Sequence, residues 1–210
     1  MKRIAVSTVV GLITFALGVV LTASLLSRRQ VRIAQLQSAS ECSVAYDASR
    51  SVEKVRQADD PFLFGAFQQT PVYQMPNCVD EAYSITWIPS FHPPVLVEVW
   101  HSGNKAMMVA KQLDRNWHLD GSPKETNTRE LTAFEWREVV NLMNRSAYWE
   151  LPSTIDETLP EDGAAWIVDG LHAGKYHWVR RRVPDQQYAE ICKHLIHLSG
   201  LQTAHELYLP

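Results

Sequence analysis

The stretch AAWIVDGLHAGKYHWVRR, residues 164–181, sets two histidines, one aspartate and two arginines among Trp, Tyr and β-branched residues. It reads either as a reaction site or as a β-hairpin. Residues 164–171 and 175–183 flank His172-Ala173-Gly174, a short loop in which Gly174 takes positive φ at no steric cost. Side chains alternate along a strand, so Trp166 and Val168 share one face, and Ile167 and Asp169 the other. On the return strand Tyr176, Trp178 and Arg180 oppose His177, Val179 and Arg181. Cross-strand aromatics with a cationic outer row suit a two-layer sheet, and the cations discourage edge-to-edge pairing. The hairpin is the preferred reading. The catalytic one makes Asp169 and His177 an acid–base pair near Arg181, and it requires these side chains to converge in a pocket. These three are the candidate functional residues.

Upstream, YSITWI (83–88) alternates Tyr83, Ile85 and Trp87 with Ser84 and Thr86, the period of a half-buried strand. VLVEVW (95–100) puts Val95, Val97 and Val99 on one face and Leu96, Glu98 and Trp100 on the other. Ser102-Gly103-Asn104 then turns the chain into KAMMVAKQL, so residues 95–113 read as a second hairpin. Thr132 and Glu135 have the spacing of a capping box, with Leu131 and Trp136 as its hydrophobic staple. Trp136, Val139, Val140 and Met143 follow as one helical stripe. A second helix opens at Asp185, buries Tyr188, Ile191, Cys192 and Leu195, and ends at Gly200 with Leu201 folded back. The expected fold is α+β: an antiparallel sheet of about five strands with two amphipathic helices on one face.

Toward the N-terminus, Ile4 to Leu26 contains no charged residue. Such a run would make a helix of roughly 34 Å, enough for a bilayer core of about 30 Å. A cleaved signal peptide is the alternative, since Lys2 and Arg3 precede the run and Thr22-Ala23-Ser24 is a weak cleavage option. The length favours an uncleaved anchor, because a signal h-region runs about 7–15 residues. Two basic residues precede the span and three follow it. That count taken alone slightly favours a cytoplasmic domain, whereas the short N-terminal tail favours the signal-anchor arrangement with the domain outside. The outside placement is preferred. The organisation is then a membrane anchor at 1–28, a helical stalk or linker at 29–60, an irregular Pro- and aromatic-rich segment at 61–82, and the α+β domain at 83–210.

The chain has 210 residues and a formal charge of −3, but five of its 20 basic residues and none of its 23 acidic ones lie in residues 1–32. Residues 33–210 therefore carry 15 basic against 23 acidic residues, a balance of −8. An acidic domain is a poor partner for nucleic acid, whose binding needs cations on phosphate. Cys42 and Cys78 are a possible disulfide in an oxidising compartment, closing a long loop; two unpaired thiols are the alternative. Cys192, His194 and His197 do not make a metal site, since Cys192 faces the buried stripe and two ligands are too few for structural zinc. Arg180, Arg181 and Arg182 alternate between faces and make a poor anion patch. No nucleophile elbow, phosphate-cradling loop or zinc-protease motif is present, and no cofactor is implied.

Asp162-Gly163-Ala164 with Trp166-Ile167, then Gly174, Tyr176-His177, Arg180 and Pro184, resembles a pattern of small bacterial exported or membrane-anchored proteins of uncharacterised function. Trp149-x-Leu151-Pro152 and Leu198-x-Gly200-Leu201 match parts of the same pattern, and the resemblance covers residues 83–201. It departs after Leu113-Asp114, where RNWHLDGSPK replaces a Gly-rich stretch. The resemblance implies a shared fold and no activity. The expected function is a non-catalytic, membrane-tethered protein-binding domain of the bacterial envelope. Its lipid contact runs through residues 4–26, and its protein partner sits on the sheet or on residues 61–78. The alternatives are a small hydrolase using Asp169 and His177, and an immunity-type protein that masks a toxin.

Overall fold

A computed structural model describes residues 65–75, 79–114, 122–155 and 163–203. The chain divides into two compact units, Met1–Val44 and Ala45–Pro210, and every described residue belongs to the second. The apolar run 4–26 and both Cys42 and Cys78 lie outside the described residues. Among the described residues no helix is long and apolar enough to cross a membrane.

Six strands form one antiparallel sheet: β1 (Glu81–Pro89), β2 (Val95–Ser102), β3 (Lys105–Leu113), β4 (Pro123–Leu131), β5 (Ala164–His172) and β6 (Lys175–Arg181). Their order is β4-β3-β2-β1-β5-β6. The first four strands run as a meander. The chain then crosses the sheet through α1 (Ala133–Arg145) and returns as β5 on the free side of β1. Both hairpins turn as the twist of the strands demands. Gly103 has φ 62 in one, and Ala173 and Gly174 have φ 48 and 79 in the other.

The sixth strand corrects the expectation of about five. β4 is PKETNTREL, most of it exposed or half-exposed, and it pairs along its length with β3 at the sheet edge. An edge strand needs only backbone partners on one side, so its side chains show no apolar alternation, and charges there blunt the edge. Periodicity is blind to such a strand.

Both helices pack on one face. Val139 and Met143 of α1, and Tyr188, Ile191, Cys192 and Leu195 of α2 (Gln186–Ser199), join Tyr83, Ile85, Trp87, Val97, Val99, Trp166 and Val168 in the main core. The expected caps are present. Thr132 Oγ1 accepts from the Glu135 backbone N–H at 3.2 Å, and Glu135 Oε2 accepts from the Thr132 N–H at 2.8 Å. Arg129 of β4 forks onto the same carboxylate at 2.7 and 3.1 Å, and with the cap it holds the Glu135 carboxyl at about 2. Asp185 Oδ1 accepts from the Tyr188 N–H at 2.8 Å, and Gly200 closes α2 at φ 67. Thr132→Ala removes one half of the box and should lower stability by about 1 kcal/mol. Urea unfolding checks this, and an unchanged midpoint would show that Arg129 alone holds the helix start.

The opposite face is covered by residues 65–75, a strap. Ala66 and Phe67 pack with Leu96, Leu113 and Ile167. Further along, Val72 and Met75, with Val79 beyond the strap, pack with Ala82 and Leu171. Lys111 fastens the strap by donating from Nζ to the carbonyls of Phe67 and Gln68 at 2.9 and 2.8 Å. Phe67 is therefore a core side chain and not part of an exposed aromatic surface.

Candidate functional site

The sheet keeps Asp169 and His177 apart. Asp169 pairs with Trp178 and His177 with Gly170, so the two sit one residue out of step and project from opposite faces. His177 lies on the helix side, its Nε2 2.9 Å from the Leu151 carbonyl and its ring 5.2 Å from that of Tyr148. Arg181, on the same side, is 3 % exposed. It donates to the carbonyls of Pro152 at 2.8 Å and Arg180 at 2.6 Å, and it sits over the Tyr188 ring. Both residues brace the segment after α1 against β6. The acid–base pair drawn from their spacing does not form.

Asp169 belongs instead to a polar row on the strap face. In register, Ser84 of β1 pairs with Glu98 of β2 on one side and with Asp169 of β5 on the other. The two carboxyl-bearing residues are thus two strand spacings apart, about 10 Å between Cα atoms. All three are buried, with Thr86 one step along β1. Ser84 Oγ donates to Asp169 Oδ2 at 3.1 Å, and the Tyr176 hydroxyl donates to Asp169 Oδ1 at 2.6 Å. On the strap, Gln69 Nε2 donates to Glu98 Oε1 at 2.7 Å.

Burial lifts the Glu98 carboxyl to about 8, and the charge of Asp169 adds to the lift, while the Gln69 bond and Lys111 oppose it. Burial also lowers the Lys111 ammonium below its ordinary value, against the pull of Glu98. At neutral pH Glu98 is therefore mostly protonated. Its Oε2 and the Thr86 Oγ1 are buried without a hydrogen-bond partner. A neutral carboxylic acid beside a hydroxyl can donate or accept, so this row is equipped to receive a polar group.

A second cluster lies on the helix face at the end of the sheet carrying both hairpin turns. Glu81 pairs with His101 on one side and His172 on the other. Glu81 Oε1 accepts from the Tyr83 hydroxyl at 2.5 Å and lies 3.3 Å from His172 Nδ1; His101 Nδ1 lies 3.7 Å from Asp80. Burial, with Glu81 beside it, pushes the Tyr83 phenol well up. The aromatic faces are taken by groups of the same chain. His101 stacks on Trp136 at 5.5 Å, and Lys175 Nζ is 5.5 Å from the centre of the Trp149 ring. This cluster braces the sheet end.

Cys192 is fully buried in the core, where burial pushes its thiol well up and makes it a poor nucleophile. Sequence reasoning passed over Glu98, Ser84, Thr86, Gln69 and Lys111. The available signal was Glu98 itself, a carboxylate between Leu96 and Trp100 on one face of a β-branched strand. Comparisons with protein-family models, with curated proteins and with solved structures find no match.

Proposed function

We propose that the chain is a single-pass, membrane-tethered protein-binding domain of the bacterial envelope, anchored by residues 4–26 with the α+β domain outside the membrane. The observation that supports the protein-binding part of this reading is an apolar end to the sheet, while the anchor rests on the uncharged run 4–26 of the sequence. Phe91, in the turn after β1, is 54 % exposed; Val183, just past β6, is 58 % exposed; and Ile155 is 47 % exposed. The first two follow the ends of β1 and β6, which finish at the same edge of the sheet where β5 begins. Ile155 comes two residues after Ser153, whose carbonyl accepts the Arg180 N–H beside that end. Phe91 and Val183 follow the two strands that flank β5, and large apolar side chains exposed at one end of a sheet favour a protein contact over water. A hydrolase built on Asp169 and His177 has no support, because those residues face apart.

The test is a photo-crosslinking amino acid placed at Phe91, at Val183 and, as control, at Thr126 on β4, in the full-length anchored protein in its own membrane. Discrete adducts at Phe91 and Val183 that are absent at Thr126 are expected. Equal labelling at all three positions, or none at any, would overturn the reading.

A further inference from the structure

The two edges of the sheet differ. At β6 the Arg180 backbone N–H donates to the Ser153 carbonyl, so the segment after α1 takes up part of that edge. At the other edge, among the described residues, only β3 makes backbone–backbone bonds to Pro123–Leu131 of β4. The outward N–H and C=O groups of such a strand are a template for another strand. This one, PKETNTREL, carries four charges: Lys124, Glu125 and Glu130 are exposed and Arg129 is half-exposed.

The order of those charges is self-complementary. A second copy related by two-fold symmetry pairs edge to edge and antiparallel, and residues that face one another project from the same side. Centred on Asn127, such a pairing sets Glu125 opposite Arg129, Thr126 opposite Thr128 and Lys124 opposite Glu130. Every charge then meets its opposite. Centred on Thr126 or Thr128, each charge meets an uncharged residue; centred on Glu125 or Arg129, that residue meets its own copy. Charges that deter promiscuous edge pairing thus favour one register. Glu125–Leu131 pairs with β3 without a break, and the bulge at Gln112/Leu113 lies beyond it, at Lys124. Glu125 with Arg129 is therefore the pair on regular backbone. Arg129 is held ready there: it donates to the Glu135 carboxylate at 2.7 and 3.1 Å and to the Leu198 and Glu130 carbonyls at 3.3 Å, with its side chain 34 % exposed.

We propose that the outer edge of β4 is a self-association surface whose partner is a second copy of this chain, paired antiparallel about Asn127. The two-fold axis then stands perpendicular to the sheet. Two six-stranded sheets join into one, with both straps on one face and both pairs of helices on the other. This surface is separate from the apolar end around Phe91. A photo-crosslinker at Thr126 would join two copies of this chain, an adduct unlike those at Phe91 and Val183, so the two readings fail separately.

Cysteine substitutions in the full-length protein, mildly oxidised in its own membrane, read the register. Facing Cα atoms lie about 5 Å apart, within reach of a disulfide. Asn127→Cys should therefore give disulfide-linked dimers by itself. Glu130→Cys should give none above the unaltered protein, because the two copies of that position lie roughly 20 Å apart. Glu125→Lys sets like charges opposite each other at Arg129 and should reduce the Asn127→Cys dimer by about tenfold. Co-expressed Thr126→Cys and Thr128→Cys chains form a second arm, which keeps Asn127 and its 2.7 Å bond to the Ser199 carbonyl; they should join to each other. Dimer from Glu130→Cys equal to that from Asn127→Cys, no dimer in either arm, or a dimer indifferent to Glu125→Lys would each overturn the proposal.

Discussion

Glu98→Gln should make the protein more stable at neutral and alkaline pH and should flatten its stability between about pH 4.5 and 8. The folded protein holds the Glu98 proton up to about 8, against an ordinary value of 4.5. Below pH 4.5 the carboxyl is neutral in both states and contributes no difference. As pH rises through that value, the unfolded chain ionises and the folded one does not. The folded state then binds more protons, and stability falls with increasing pH until the folded carboxyl also ionises near 8. Each unit of separation is worth 1.36 kcal/mol, so the penalty reaches about 3 kcal/mol by pH 7. Glutamine keeps the acceptor that Gln69 uses and never ionises. Urea unfolding of both proteins at pH 4, 6 and 8 reads the difference. Equal stability at pH 4 and a widening gap above it is the expected result; parallel curves would mean that Glu98 is not held protonated.

Gly170→Ala should be the most damaging single methyl on the helix face. A Cβ at Gly170 would lie 2.7 Å from Tyr148 Cε1 and 3.2 Å from both the Tyr148 hydroxyl and the Trp149 ring. The tyrosine has nowhere to go. It is fully buried, and its hydroxyl donates toward the carbonyls of His177 at 2.8 Å and Val168 at 3.2 Å. Relief requires either breaking those bonds or parting β5 from the 148–150 turn. Overpacking of this kind costs about 3 kcal/mol, at the upper end of its usual range. The clash has a signature beyond lost stability: in a Tyr148→Leu background the added methyl should cost much less. A cycle in which the two changes add independently would place the damage elsewhere.

The two predictions concern the two faces of one sheet, and the faces were unequally legible. The helix face could be read almost residue by residue. Val139 and Met143, and Tyr188, Ile191 and Cys192, recur at helical spacing and are buried as that spacing implies. Thr132 and Asp185 cap as their positions imply, because capping needs only residues within one turn of each other. The strap face was poorly legible. Glu98, Ser84 and Asp169 come from three strands separated by up to 85 residues, and no local pattern ties them together. Their alignment follows from β5 docking against β1, a long-range choice made by the crossing of α1. The same docking decided the fate of Asp169 and His177. They look like neighbours in the sequence, and a one-residue offset between paired strands sends them to opposite sides.

The sequence by itself determined what depends on near neighbours: two capped amphipathic helices, two hairpins, an α+β class, and an uncharged run at 4–26 long enough to span a bilayer. Only the tertiary structure decided which strands lie side by side, that a polar edge strand completes the sheet, and that an uncharged strap closes over a protonated Glu98. Local periodicity reports which side of an element is buried. What that side meets depends on contacts between distant segments, and there the burial of a carboxyl group is settled by its surroundings.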